Sequence, residues 1–336
     1  MNTISSIEDS LRDAAEAVSQ VRAQISKVMV GQESLVDLCL IALLAGGHVL
    51  LEGVPGLGKT ELVKTLAKSL ELDFARIQFT PDLLPMDITG THVLLESPDG
   101  QRAFDFRHGP IFANVVLADE INRATPKTQS AMLEAMQESS VTVGRESYPL
   151  PPPFLVIATQ NPIEMEGTYP LPEAQIDRFL FKVIAQYPNA EELGAILERT
   201  TSGAAPQVDA VMSPTKVLDL RKLGLDVHIS PSIRAFVVAL VLATHPDRAE
   251  SPSEVRRFVR YGASPRGGQA LLLAAKFLAL TRGRLHVAEE DIRHVLVPAL
   301  RHRVLLNFEG EAEGMTADRI IEAVGNQVRL EAVIEG

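Results

Sequence analysis

The octapeptide GVPGLGKT, Gly53 to Thr60, is preceded by the apolar run VLLE and followed by a helical stretch, Thr60 to Leu70. A strand that ends in such a loop and re-enters a helix matches G-x-x-x-x-G-K-[ST] in the context that pattern requires. Few folds accommodate all three pieces. The glycines let the backbone curl until its N–H groups face inward, and the helix behind adds its positive end, so phosphate oxygens are the natural occupant. Gly53, Val54, Pro55, Gly56, Leu57 and Gly58 form the cradle, and Glu61 lies just inside the helix. Lys59 supplies a mobile charge for β and γ phosphates, and Thr60 a hydroxyl for Mg²⁺.

The surroundings of this loop predict an α/β domain. HVLLEG, FARIQF, ANVVLADE, FLVIATQ and FLFKVIA are continuous apolar runs of the kind shown by parallel strands buried on both faces. Between them stand helices at Thr60 to Leu70 and Pro126 to Glu138, the second with Thr125 as expected cap and Pro126 at the first helical position. Two inserts interrupt the alternation. One carries a Pro-Asp-Gly turn between VLLE and RAFDF, a hairpin signature, and VTVGRESYPLP reads as a second hairpin. Ahead of the loop, Ile4, Ile7, Leu11, Ala14, Val18, Val21, Ile25 and Val28 recur at helical spacing, which predicts one amphipathic helix over 4–28 packed on its own domain. Past Pro188 the strands nearly stop and four segments with capping or acidic first turns continue at helical period. The expected division is an α/β domain over 1–188 and an all-helical domain over 189–336, in keeping with a length of 336 residues.

VVLADE ends its strand in two carboxylates. In an open parallel sheet ligands sit at the strands' C-terminal ends, so both acids are expected to face the phosphates, and adjacent strand residues diverge. That assigns Asp119 to the Mg²⁺ shell and Glu120 to polarising a water in line with the γ-phosphate, which predicts hydrolysis. Asn161, just past FLVIATQ, is placed to hold that water or a γ-phosphate oxygen, a turn-forming Asn-Pro being the alternative. Gln78, ending the second strand, is a candidate to hold Glu120 inactive between cycles. Val30, Gly31 and Gln32 offer an apolar patch and a turn for adenine, although a helix start explains the same letters. In GASPRGG, Ser264 can cap and Pro265 can start a helix, leaving Arg266 in a first turn where a cation opposes the helix dipole unless an anion, such as a nucleotide phosphate, is near. The pair Asp177-Arg178 in LPEAQIDRFLF is by default a solvated pair contributing under about 1 kcal/mol.

Composition narrows the partners. A net charge of −11 argues against a nucleic-acid footprint as a bulk property. The longest apolar runs fall short of the roughly 18 residues of a membrane span, and the N-terminus lacks a secretion signal, so the default address is cytoplasmic. The single cysteine, Cys39, sits in an apolar helical run and reads as a core residue.

With GVPGLGKT, VVLADEINRATPKTQSAMLEAMQE, FLVIATQNP, LPEAQIDRF and GASPR in this order, the chain resembles the MoxR family of AAA+ ATPases over nearly its whole length. The resemblance implies ATP and Mg²⁺ as cofactors and an AAA+ P-loop domain followed by a helical lid. It implies a homo-oligomeric ring, usually a hexamer. It assigns Lys59 and Thr60 to Walker A, Asp119 and Glu120 to Walker B, Asn161 to the first sensor, Arg266 to the second, and Arg178 to the arginine finger. The hairpins near 90–107 and 141–150 look like the helix-2 and pre-sensor inserts of that clade. Clients would be proteins with a von Willebrand factor A domain, activated or loaded with a metal or cofactor. Met86 and Gly267-Gly268 depart from the family pattern, the glycines weakening the helix start behind Arg266, and Arg123 reads equally as an interface arginine or a surface ion pair. A magnesium-chelatase subunit is the nearest confusable relative. A DNA-directed motor is disfavoured by the charge, and a non-enzymatic nucleotide-gated scaffold by the intact Glu120.

Overall fold

The computed structural model describes residues 2–96, 102–161, 167–201 and 206–331. Among these, five strands form one parallel sheet in the order Phe74–Gln78, Val115–Asp119, Leu155–Gln160, Val49–Glu52, Phe181–Ile184. The three inner runs are two-sided, as read, while the edge strands Phe74–Gln78 and Phe181–Ile184 are only partly buried. Val49, Leu51, Val115, Leu117, Leu155 and Ile157 pack into a core shared with the N-terminal helix and the helical region, whereas Leu50, Val116, Ala118, Val156 and Ala158 face a second core closed by Pro126–Glu138. Period-two alternation of this kind buries a parallel sheet on both faces.

The amphipathic N-terminal helix spans Asn2–Ser26 and lies against Glu33–Ala45, Lys59–Ser69 and Pro265–Thr281, burying Leu11, Ala14, Val18, Val21 and Ile25. Cys39 is buried in the same core, and burial pushes its thiol up to about 12. From Ala190 on, the described elements are helices apart from a short antiparallel pair, Val259–Tyr261 with Leu305–Leu306. No helix among the described residues is long and apolar enough to cross a membrane.

Both hairpins form, Gly90–Glu96 with Arg102–His108 and Ser140–Val143 with Glu146–Pro149. The Pro-Asp-Gly turn of the first lies outside the described residues. Aromatic stacking joins the two, Phe106 lying on Tyr148 at 4.0 Å between centroids, and beside the first hairpin His108 lies on Phe112 at 4.0 Å. Leu94 and Phe104, directly opposed in register, remain exposed, Phe104 to 74%. Thr125 occupies the N-cap position of Pro126–Glu138 but makes no capping bond, its hydroxyl meeting that of Thr128 at 3.3 Å. The pair Gly267-Gly268, read as weakening a helix start, lies in the first turn of Pro265–Thr281, which forms, and a Cβ on Gly267 would stand 2.9 Å from Leu300 Cδ2, so its absence permits close packing.

His48, just before the strand Val49–Glu52, accepts the Val156 N–H on Nδ1 at 3.0 Å and donates from Nε2 to the Met136 carbonyl at 2.9 Å, which is the neutral ring. Burial, with a smaller push from the Arg221 charge and against the pull of the Met136 carbonyl, lowers its pKa to about 4. An unfolded chain therefore binds the proton first as pH falls, so this contribution is complete above about pH 6.5 and is lost toward about pH 4. His48→Gln, which keeps both hydrogen bonds, should lose about 2 kcal/mol less stability than wild type between about pH 7 and pH 5 in urea unfolding. Equal losses would show that His48 does not set the acid limb.

Candidate functional site

Parallel register brings four strand ends to one rim of the sheet. Glu52 is level with Gln160, Ala118 with Ala158, and Gln78 with Asp119. The loop Gly53–Gly58, Asn161, the pair Asp119-Glu120 and Gln78 therefore share that rim. Gly56 and Gly58 take φ of 86° and 73°, conformations that L side chains rarely adopt, and the space before Gly56 is open. Lys59 Nζ bends back to donate to the Gly53 carbonyl at 2.6 Å. Burial lowers its pKa, while the charges of Asp119 and Glu120 pull it back toward the cation. An open loop, a cation held by nothing stronger than a carbonyl, and the adjacent Thr60 hydroxyl fit a triphosphate with Mg²⁺. Mg²⁺ keeps its waters and takes only one or two protein oxygens alongside phosphate.

The two carboxylates are separated differently from what the sequence implies. The strand ends at Asp119, and Glu120 turns left-handed at φ 58° and ψ 49°. Such a conformation costs a non-glycine residue roughly 1–2 kcal/mol. Thr159 stabilises it: its hydroxyl accepts the Glu120 N–H at 2.8 Å and donates to Asp119 Oδ1 at 2.6 Å. Gln78 Nε2 donates to Glu120 Oε2 at 2.8 Å, as its position at the strand end predicted. Arg123 Nε lies 3.2 Å from the same carboxylate, which is the ion pair named beside the interface reading of that arginine. Arg76 Nη2 reaches Asp119 Oδ2 at 2.6 Å and Gln78 Oε1 at 2.7 Å. One connected chain of polar groups thus runs from Asp119 through Arg76 and Gln78 to Glu120. Asn161 is buried immediately past its strand.

Beside the loop opens a cavity of about 600 Å³, lined by Val30, Gln32, Gly56, Leu57, Gly58 and Glu61 together with Tyr187, Leu193 and Ile196. Its apolar walls suit a nucleobase. Gly31 sits between Val30 and Gln32 with φ of 69° and packs on the Glu192 carboxylate.

Arg178 and Arg266 are elsewhere. Phe181 is level with Val49, so residues 177–180 lie at the N-terminal end of the sheet, beyond the whole strand Val49–Glu52 from the glycine loop. That strand alone spans about 13 Å. Arg178 follows the short helix Glu173–Ile176 and donates from Nη1 to the Leu133 carbonyl at 3.1 Å, its side chain otherwise reaching the surface. A second cavity, about 310 Å³, is lined by Gly47, His48, Asp177, Arg178, Arg266 and Arg303. The anion expected beside Arg266 is here a protein carboxylate, Asp177 Oδ2 at 3.8 Å. The Ser264 hydroxyl makes no capping bond to its own helix and donates instead to the same oxygen at 3.0 Å.

The family model of the ATPase family associated with various cellular activities (AAA) matches residues 48–181, and that of the AAA lid domain matches residues 253–324. The chain is 44% identical over 322 residues to chaperone MoxR1 of Mycobacterium tuberculosis, covering 95% of this chain and 84% of that one. Protein MoxR of Paracoccus denitrificans is 32% identical over 318 residues, covering 90% and 92%. The chain belongs to the MoxR family of AAA+ ATPases. A crystal structure of a candidate ATPase from Cytophaga hutchinsonii superposes with a TM-score of 0.89 at 42% identity, over 97% of this chain and 98% of that one. The fold is accordingly an α/β AAA+ domain followed by a lid.

Within this MoxR-family framework, three groups at the rim escape sequence reasoning. Thr159 hides inside an apolar strand. Arg76 carried a usable signal, since period-two alternation puts it on the same side of an edge strand as Gln78. Tyr187, Leu193 and Ile196 line the base cavity from beyond the last sheet strand.

Proposed function

We propose that this chain binds ATP with Mg²⁺, hydrolyses it, and works as a cytoplasmic homo-oligomeric ring, a hexamer, that remodels client proteins as a MoxR-type chaperone. The observation that carries the reading is the separation of two sets of groups: loop, Lys59, Asp119, Glu120 and Asn161 on one rim, Arg178 and Arg266 on the opposite one. Gly53, Val54, Pro55, Gly56, Leu57 and Gly58 direct backbone N–H groups at the phosphates, Lys59 neutralises the β and γ charge, and Thr60 and Asp119 hold Mg²⁺. Glu120 takes the proton of the attacking water, which Asn161 orients. Val30, Gly31, Gln32 and Glu61 border the base. Mg²⁺, held by Thr60 and Asp119, would supply neutralisation of phosphate charge. Arg178 and Arg266 serve the nucleotide of the next subunit, which a head-to-tail ring brings to that rim. The hairpins, whose exposed Leu94 and Phe104 take no part in the phosphate site, engage the client, and the clients are von Willebrand factor A domain proteins that receive a metal or cofactor.

Phosphate release from ATP by the purified chain tests the reading, with Lys59→Ala as its control. Removing the only mobile cation at the loop should weaken ATP binding by about 10²-fold or more, as expected for truncating a buried, charge-paired group. Unchanged ATP affinity by calorimetry would remove Lys59 from the site, and release that persists undiminished would point to a contaminating ATPase.

A further inference from the structure

Arg178 sits between residues that the lid grips. Just before it, Asp177 Oδ1 accepts from Arg303 Nε at 2.7 Å, and the Asp177 carbonyl accepts from Arg303 Nη2 at 2.9 Å. Just after it, the Phe179 carbonyl accepts from Arg303 Nη2 at 2.8 Å and from His302 Nε2 at 3.1 Å, and the Leu180 carbonyl from Arg303 Nη1 at 3.4 Å. One guanidinium therefore holds the main chain on both sides of residue 178. Its side chain is 3% exposed and that of Asp177 19%. The other Asp177 oxygen collects Ser264 and Arg266.

This is an expensive way to pack two segments together. Burying a charged pair costs more in desolvation than apolar packing of similar volume, so stability alone does not call for it. Ser264 meanwhile leaves its own helix uncapped to reach the same carboxylate. What the arrangement supplies is direction. A planar fork with five donors fixes several carbonyls at once, which a lysine ammonium does not. The Arg178 side chain then leaves the clamp toward the surface, donating to the Leu133 carbonyl on the way.

We propose that Asp177 and Arg303 are positioning residues for Arg178, a strut from the lid that sets the angle at which this arginine meets the neighbouring subunit's phosphates. The proposal rests on the reading of Arg178 as a group acting across a ring interface.

Arg303→Lys and Asp177→Asn test it in the full-length ring. A misaimed group costs on the order of 10²-fold in kcat, while KM and the dissociation constant for ATP stay within about twofold because each subunit's own loop is untouched. Mixed with Glu120→Gln subunits, which keep a sound strut and arginine, either variant should recover turnover. Mixed with Arg178→Ala subunits it should not. A role confined to holding the fold would instead move ATP affinity or ring assembly and give no such dependence on the partner. Asp177→Asn keeps the side chain's shape but removes the negative charge that pairs with Arg303 and faces Arg266, so it carries the test where Arg303→Lys fails to fold. Wild-type kcat in Asp177→Asn, or no recovery in rings shown to be mixed, overturns the strut. Wild-type turnover by Arg178→Ala itself would overturn the underlying reading of that arginine instead.

Discussion

Arg178→Ala is expected to bind ATP nearly as wild type does and to hydrolyse it roughly 10³- to 10⁵-fold more slowly. That corresponds to about 4–7 kcal/mol of lost transition-state stabilisation. The split between binding and chemistry follows from the register. The strand Phe181–Ile184 runs parallel to Val49–Glu52, so Arg178 lies at the end of the sheet opposite the glycine loop and contributes nothing to the affinity of its own subunit's site. Among the described residues its side chain makes one hydrogen bond, to the Leu133 carbonyl, and is otherwise at the surface, so its removal should cost the fold little. Calorimetric ATP titration beside single-turnover phosphate release separates the two effects. Lost ATP binding would make Arg178 a structural residue, and unchanged turnover would leave it without a role.

Glu120→Gln should show the same split for a different reason, with ATP bound and persisting while turnover falls about 10²- to 10⁴-fold. Glutamine keeps the volume and still accepts from Gln78 through its carbonyl oxygen, and the left-handed backbone held by Thr159 is untouched. What disappears is the carboxylate, the proposed acceptor of the water's proton, together with the ion pair to Arg123. The trapped ATP-bound form should also retain clients, which makes it the natural bait for finding them. Wild-type turnover would remove Glu120 from the chemistry.

The parts of this site legible in the sequence are those dictated by local backbone. The glycine loop between strand and helix, and the apolar runs that become Val49–Glu52, Val115–Asp119 and Leu155–Gln160, follow from spacing alone. Gln78 was legible too, because a polar residue ending a strand next to the acidic one has only that rim to face. Tertiary contacts were not. Ser264 has every local feature of an N-cap, yet Asp177, 87 residues away in sequence, takes its hydroxyl. Arg303 acts on Asp177 across 126 residues, which no periodicity encodes. The left-handed turn at Glu120 was hidden for another reason, since glutamate carries no preference for that conformation and adopts it here under the hold of Thr159.

The central claim is that each catalytic site is completed by the next subunit, and mixing two defective chains tests it most directly. Arg178→Ala subunits retain a sound Glu120, and Glu120→Gln subunits retain a sound Arg178. Each preparation should be nearly inactive alone. Rings assembled from both contain interfaces at which an intact Glu120 meets an intact Arg178, and ATP hydrolysis should reappear in proportion to them. Subunit exchange demonstrated by a label, with no return of hydrolysis at any mixing ratio, would contradict the account.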